Sequence, residues 1–448
     1  MISLESKPIK ICEWSCVQAG ELSPRQREEI DAAVTEWCRV AGITDSPLQF
    51  QGPGGTIMAA SHYVGVIEAA GACIEIYPKL DKALCGKDVL PTDFQAGTVM
   101  SNLLWLMASR RFMELAEADA AHLVTSPVTY YDVFAYLMAK NLRSELEAGI
   151  SHCYVPAAGD LHTVRGRLNI SEQLTRNWNR LDGISCRWDE FTADIPMNRL
   201  FKCACRVLQA RVSNQAAIQV LDDCRALFDE VTDVEPRVAL SELGAARWHR
   251  ATDRFRDCFD MAVRLLSGTG YEMGMGVDKS FVFLMDMNKL FESFTGAALE
   301  ACFGVAIDMQ NPIGHLFTSP KSIRQLPDYL WRSDRVSWIG DAKYKMLTDD
   351  GTPLESPRFN DLSPADVRQL TVYAEIMRKR MDVPDLSLML LYPYVGKVLP
   401  KPLSGKAWNG SDFWIVPVQV TKPEGDMPEL RTVLPTLRSI DRRASSTS

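Results

Sequence analysis

Leu326 to Lys345 reads LPDYLWRSDRVSWIGDAKYK. Two short apolar runs, Tyr329 to Trp331 and Val336 to Ile339, flank a polar turn of Arg332, Ser333, Asp334 and Arg335, the pattern of a β-hairpin. Asp328 opens the first strand. Asp341 and Lys343 close the second, two positions apart and therefore on one face. An antiparallel pairing across this turn returns Asp328 to the neighbourhood of Asp341. Two carboxylates and an amine then converge on one sheet edge, which is the minimum equipment for holding Mg²⁺ and activating water against a phosphodiester.

Neighbouring segments add to that edge. Asp286 to Cys302 has the periodicity of an amphipathic helix and carries Glu292, a further carboxylate. Ser363-Pro364 opens a helix to about Met381, with Asp366 in its first turn. On this helix Gln369 and Tyr373 stand four residues apart on one face. Mg²⁺ prefers oxygen ligands in octahedral geometry and few protein carboxylates. Asp328 and Asp341 suit that need, with the carbonyl of Ala342 and Glu292 as further donors. Lys343 would orient the attacking water or stabilise negative charge in the transition state. An Asp-x-Lys triplet also occurs on solvated strand ends, where it forms only a surface ion pair. Glu292 can equally be a solvated helix residue, and Gln369 and Tyr373 can simply cap and pack their helix.

The 448 residues exceed one typical core, so two or three domains are expected. With 46% hydrophobic and 24% charged residues the composition is that of a globular protein. No apolar run approaches the ~20 residues needed to cross a bilayer, and the N-terminus lacks a signal-peptide pattern. A cytoplasmic protein without a membrane partner is expected. The 12 cysteines include two close pairs, Cys12/Cys16 and Cys203/Cys205, neither with the spacing of a zinc site, so reduced, buried thiols are expected. A net charge of −8 argues for a limited nucleic-acid footprint, or for a partner that does most of the gripping.

The fold class read from these patterns is α+β. Residues 1–115 are expected to be a β-containing N-terminal domain. It holds strands at Ile9–Cys12, Leu48–Gln51, Tyr63–Ile67 and Cys73–Tyr77, a helix capped by Ser23-Pro24, and another from about Phe94 to Ala108. Residues 116–267 read as mainly helical, with helices at Thr129–Gly149, Leu200–Ser213, 214–229 and 246–267 and a polar insert between the first two. Residues 268–448 read as an α/β domain with the hairpin and further strands at Leu386–Tyr392 and Phe413–Val420.

Together these residues resemble a known family. Leu326-Pro-Asp328, Gly340-Asp-Ala-Lys-Tyr-Lys345 and Gln369-Leu-x-x-Tyr373-Ala374 are similar to the PD-(D/E)xK nuclease core. More narrowly, the chain resembles the McrC family, the nuclease subunits of McrBC-type modification-dependent restriction systems. Gly65-Val-Ile67 with Ile74-Glu-Ile-Tyr-Pro-Lys79, Arg165-Gly-Arg-Leu168, Asp189-Glu-Phe191, Pro196-Met-Asn-Arg-Leu200 and Leu290-Phe-Glu292 match that family's other motifs. The resemblance implies a C-terminal restriction-endonuclease-like domain with Asp328, Asp341 and Lys343 as catalytic trio and Glu292 and Gln369 in support. It implies Mg²⁺, with Mn²⁺ as the alternative, and cleavage of double-stranded, methylated DNA. It also implies an McrB-like AAA+ GTPase hexamer as partner, docked by the N-terminal half of this chain. The absence of a Gly-x-x-x-x-Gly-Lys-Ser/Thr loop agrees with a chain that binds no nucleotide alone. Arg165, Arg167 and Arg199 read either as braces within the chain or as arginine fingers toward the partner's nucleotide, with bracing preferred. Two other functions remain open: a non-catalytic adaptor that activates an AAA+ motor, and a stand-alone repair nuclease of the same fold.

Overall fold

A computed structural model describes residues 8–435 apart from 19–21, 52–55, 60, 80–98, 100–101, 104, 108–128, 180–182, 246–247, 249–251, 268–279, 320, 334–335, 350–351, 354–357, 382–385, 396–397 and 423–429. Most of the expected Phe94–Ala108 helix and the turn residues Asp334 and Arg335 fall outside the described residues. The chain forms two compact units, one spanning Tyr131–Gly270 and the other Ile2–Tyr130 with Tyr271–Ser448. It is a mixed α/β structure with several separate sheets.

In the discontinuous unit, a four-stranded sheet runs in the order Ile9–Cys12, Ala72–Tyr77, Tyr63–Ala69, Phe281–Asp286. The first two strands are parallel and the other pairings antiparallel. Its helix, Pro24–Ala41, starts as the sequence suggests. The Ser23 hydroxyl accepts from the Gln26 N–H, and the Gln26 side chain accepts from the Ser23 N–H, a reciprocal cap. Ile30, Val34 and Trp37 of this helix belong to one buried cluster with Ile67, Ile74 and Val282.

The strand Phe281–Asp286 was not anticipated, and it alters the domain division. An all-apolar run abutting a helix carries no period that separates strand from helix. Paired with Tyr63–Ala69, it binds the start of the C-terminal segment into the N-terminal sheet. Ile2–Tyr130 and Tyr271–Ser448 accordingly fall in one compact unit. Gly65 permits this pairing. Its φ is +147°, and a Cβ there would lie 2.0 Å from the Phe283 carbonyl oxygen. The Gly65-Val66-Ile67 motif thus has a local structural reason.

The same unit holds a six-stranded sheet in the order Asp308–Met309, Tyr329–Ser333, Val336–Ala342, Leu386–Tyr394, Asp412–Gln419, Leu403–Lys406. Val336–Ala342, Leu386–Tyr394 and Asp412–Gln419 are parallel to one another. They are buried along nearly their whole length, as strands covered on both faces must be. The Pro364–Met381 helix packs on one face through Leu370, Tyr373 and Ala374, against Ile339, Leu388 and Leu390. The Met287–Phe303 helix, N-capped by the Asp286 carboxylate, carries Phe303 against the stacked pair Trp331 and Trp338.

The Tyr131–Gly270 unit is helical at Pro196–Gln209, Gln215–Leu227, Pro236–Ser241 and Arg256–Ser267. The buried Asp132 carboxylate accepts from the backbone N–H groups of Ser213 and Asn214, which fixes the entry to the second of these helices. The polar insert is a three-stranded antiparallel sheet of Cys153–Leu161, Ile184–Thr192 and Arg167–Leu168, where sequence reading left a mainly helical region. Most of its outward residues are solvated, so the alternation that betrays a half-buried strand is missing. No disulfide joins two of the described cysteines, and most of them are buried. No helix among the described residues is long and apolar enough to cross a membrane.

Candidate metal-binding edge

The hairpin forms in the expected register, with Tyr329 opposite Gly340 and Trp331 opposite Trp338. One step further along, Asp328 falls opposite Asp341. Its Oδ2 accepts the Ala342 N–H at 2.8 Å, which pins the start of one strand to the end of the other. Gly340 is small for a steric reason: a Cβ there would meet the Tyr329 ring at 2.9 Å and the Trp331 ring at 3.1 Å. Tyr329 lies across that gap and donates its hydroxyl to the Glu292 carbonyl at 2.6 Å, tying the Met287–Phe303 helix to the hairpin.

Asp341 is not a solvated strand end: it is 1% exposed. Lys343 Nζ lies 2.6 Å from Asp341 Oδ2, and among the described residues Asp341 Oδ1 has no hydrogen-bond partner. The same amine donates to Gln369 Oε1 at 3.1 Å. Gln369 Nε2 then donates to the Tyr373 hydroxyl at 2.7 Å, and that hydroxyl donates to the Leu326 carbonyl at 3.2 Å. The relay closes a loop from the end of the hairpin, through the helix, back to its beginning. Of the expected residues, Asp328, Asp341, Ala342, Lys343 and Gln369 are therefore gathered at one place.

Glu292 is near but differently engaged. Its Oε2 accepts from Gln310 Nε2 at 3.1 Å. Among the described residues no three His, Cys, Asp or Glu side chains are grouped to hold a metal ion. Glu292 stands beside the Asp328/Asp341 pair and contributes to the charge on it, with Gln310 bonded to one of its carboxylate oxygens.

Electrostatically the edge holds more negative charge than its amine can balance. Burial, then the Asp341 and Glu292 carboxylates, push Asp328 up to about 8. Burial also raises Asp341, against the opposing pull of Lys343, and raises Glu292. Burial disfavours the Lys343 ammonium, but Asp341, Asp328 and Asp366 outweigh it and hold the amine above its usual range. An orphaned, buried carboxylate oxygen beside a second carboxylate that resists ionisation is the environment a hard cation relieves. The chemistry of this donor set suits a hard cation such as Mg²⁺, which Asp328 and Asp341 would hold.

Sequence reading missed a second ion pair beside the edge. Lys345 lies 3.0 Å from the buried Asp366, which also accepts from the Tyr392 hydroxyl at 3.3 Å. Asp366 had a sufficient local reason as an acid in the first helical turn, so nothing in its neighbours pointed elsewhere.

In the other unit, Arg199 is a brace. It bonds Asp194 through Nε at 2.7 Å and Nη2 at 2.9 Å, and Glu242 through Nη1 at 3.0 Å. Arg165 lies 3.6 Å from Glu190 and over the Trp188 ring, and Arg167 is exposed.

The fold is thus a mixed α/β one that brings a buried aspartate pair and an adjoining lysine to one edge of a sheet flanked by helices. The family model described as McrBC 5-methylcytosine restriction system component matches residues 58–393, and the chain belongs to that family. A similar solved structure is a half-complex from a tetradecameric assembly of Thermococcus gammatolerans McrB AAA+ hexamers with bound McrC. The identity is 20%, the TM-score 0.65, and the match covers 97% of this chain and 100% of the other, a likeness of fold. A cryo-EM structure of the Thermococcus gammatolerans McrBC complex matches 65% of this chain and 87% of the other, at 21% identity and TM-score 0.46. No curated protein matches.

Proposed function

We propose that the chain is the Mg²⁺-dependent endonuclease subunit of a modification-dependent restriction complex, with a PD-(D/E)xK-type catalytic edge. The observation that carries this is the buried Asp328/Asp341 pair with its orphaned Asp341 oxygen and adjoining Lys343. Asp328, Asp341 and the Ala342 carbonyl would hold the metal, which supplies Lewis-acid activation of the scissile phosphate and its water. Lys343, held by Asp341 and Gln369, presents its ammonium to the same edge, where it orients a water or stabilises the phosphorane-like charge. Asp366 and Tyr373 keep the flanking helix in register with the hairpin, and the hydrophobic cluster beneath excludes water from the back of the site.

The partner follows from the family and from the Thermococcus assembly, in which McrC is bound to McrB AAA+ hexamers. This chain would dock on a McrB-like AAA+ GTPase hexamer, stimulate it, and cut the double-stranded, methylated DNA that the ring delivers. The net charge of −8 suits a subunit that does not hold DNA alone. The test is cleavage of methylated DNA by the complex with Mg²⁺ or EDTA. Asp341→Ala and Lys343→Ala should abolish cutting while partner binding and GTPase stimulation persist. Normal cutting by either variant would remove the assigned site. Wild-type complex that cuts no DNA would favour an adaptor, and GTP-independent cutting by the chain alone would favour a stand-alone nuclease.

A further inference from the structure

Lys343 is followed by a tyrosine that the catalytic reading leaves unused. Tyr344 is buried, and its ring packs against Phe291, the neighbour of Glu292, with centroids 5.9 Å apart. Its hydroxyl donates to Glu13 Oε1 at 2.7 Å, a contact spanning 331 residues of sequence. Glu13 sits just beyond the first strand of the four-stranded sheet, is 3% exposed, and its N–H donates to the Tyr77 carbonyl at 2.9 Å. Glu13 Oε1 also accepts the Lys79 N–H at 3.0 Å. Lys79 Nζ stands 3.9 Å from Glu13 Oε2 and 4.6 Å from the centre of the Tyr344 ring.

A carboxylate is expensive to bury unless it is paired and bonded. Burial pushes Glu13 up against the opposing influence of Lys79, and among the described residues Oε2 has no hydrogen-bond donor. The arrangement is thus more than packing filler. It clamps the residue next to Lys343 to the N-terminal sheet, from both the edge and the face of its ring. Lys343 is held on its other side by its N–H to the Leu391 carbonyl at 2.9 Å. An amine on four rotatable bonds is placed only as well as the backbone beneath it.

We propose that Glu13 is a positioning residue for the nuclease edge, acting through Tyr344 to hold the Lys343 backbone in place. The inference rests on the nuclease reading above. It also assigns a role to the Ile74–Lys79 motif, whose last residue closes the clamp.

The test uses the complex of the full chain with its GTPase partner, methylated DNA, Mg²⁺ and GTP. Tyr344→Phe and Glu13→Ala should each lower kcat for cleavage about tenfold, with KM for DNA and GTPase stimulation within about twofold of wild type. The double variant should lose no more than either single, because both remove one interaction. Glu13→Gln, which keeps an acceptor at Oε1, should recover most of the rate. A wild-type kcat for Tyr344→Phe, or a double variant that multiplies the two losses, would overturn the inference while leaving the nuclease reading intact. If Glu13→Ala fails to fold, Tyr344→Phe and Glu13→Gln decide: Gln must stand well above Phe. A wild-type complex without Mg²⁺-dependent cutting removes the nuclease reading and this inference with it.

Discussion

Gln369 Oε1 accepts a hydrogen bond from Lys343 Nζ at 3.1 Å, so a residue 26 positions downstream, on the flanking helix, holds the amine at the end of the hairpin. Among the described residues the amine has two such restraints, this one and Asp341. Gln369→Ala should therefore leave the fold intact, costing about 1 kcal/mol of stability. Cleavage should fall by about one to two orders of magnitude, since a loosened amine loses its alignment. Single-turnover cutting alongside a thermal melt separates the two effects. A cleavage rate close to wild type would show that Gln369 only packs.

Asp328 and Asp341 oppose each other where neither is easily ionised. Asp328→Asn removes a carboxyl that burial and its neighbours hold up at about 8, and keeps an acceptor for the Ala342 N–H. In EDTA at neutral pH this variant should be more stable than the wild type, by about 1–3 kcal/mol, because it no longer has to take up a proton to be buried. It should also cut no DNA. Added Mg²⁺ should raise the wild-type melting temperature and leave that of the variant unchanged. A variant less stable than wild type in EDTA would mean that the pair is already compensated within the chain.

How much of this was legible in the residues depended on whether each element satisfied itself locally. The hairpin was readable because its alternation, turn and paired carboxylates lie within 20 residues, and its register then placed Asp328 opposite Asp341. The Ser23 cap and the Pro364 helix start carried their own signals. Phe281–Asp286 did not, because an unbroken apolar run acquires its identity only from the strand it meets, Tyr63–Ala69. Glu13 was silent for the same reason. A lone acid after a short strand looks solvated until Tyr344, 331 residues away, is laid against it. Glu292 was readable from its motif and helix, whereas the Gln310 amide on its Oε2 comes from a separate segment that its neighbours in sequence do not announce.

Gly65 tests the unexpected strand directly. Any side chain there meets the Phe283 carbonyl and must hold φ +147°. Gly65→Ala should destabilise the discontinuous unit by at least about 2 kcal/mol, through strain and a lost ladder. Hydrogen exchange should show Val282 and Leu284 losing protection together with Val66. A melting temperature equal to wild type would contradict the pairing.

Asp194 and Arg199 allow bracing to be separated from a role at a partner's nucleotide. The Arg199 guanidinium, then the backbone and hydroxyl of Thr232, hold Asp194 at about 2, below its ordinary 3.8. A carboxylate whose folded value is depressed binds its proton more readily in the unfolded chain. Its stabilising contribution is therefore complete above about pH 4 and is lost as pH falls from 3.8 toward 2. Asp194 is about a quarter exposed, so screening reduces the effect to about 1–2 kcal/mol. Arg199→Ala should lower the melting temperature at pH 7 and flatten its acid dependence between pH 4 and 2. A residue serving only as an arginine finger would do neither and would instead remove GTPase stimulation at unchanged stability. Melting curves over that pH range, with GTPase stimulation measured on the same protein, decide between them; an unshifted melt with stimulation lost would end the bracing assignment.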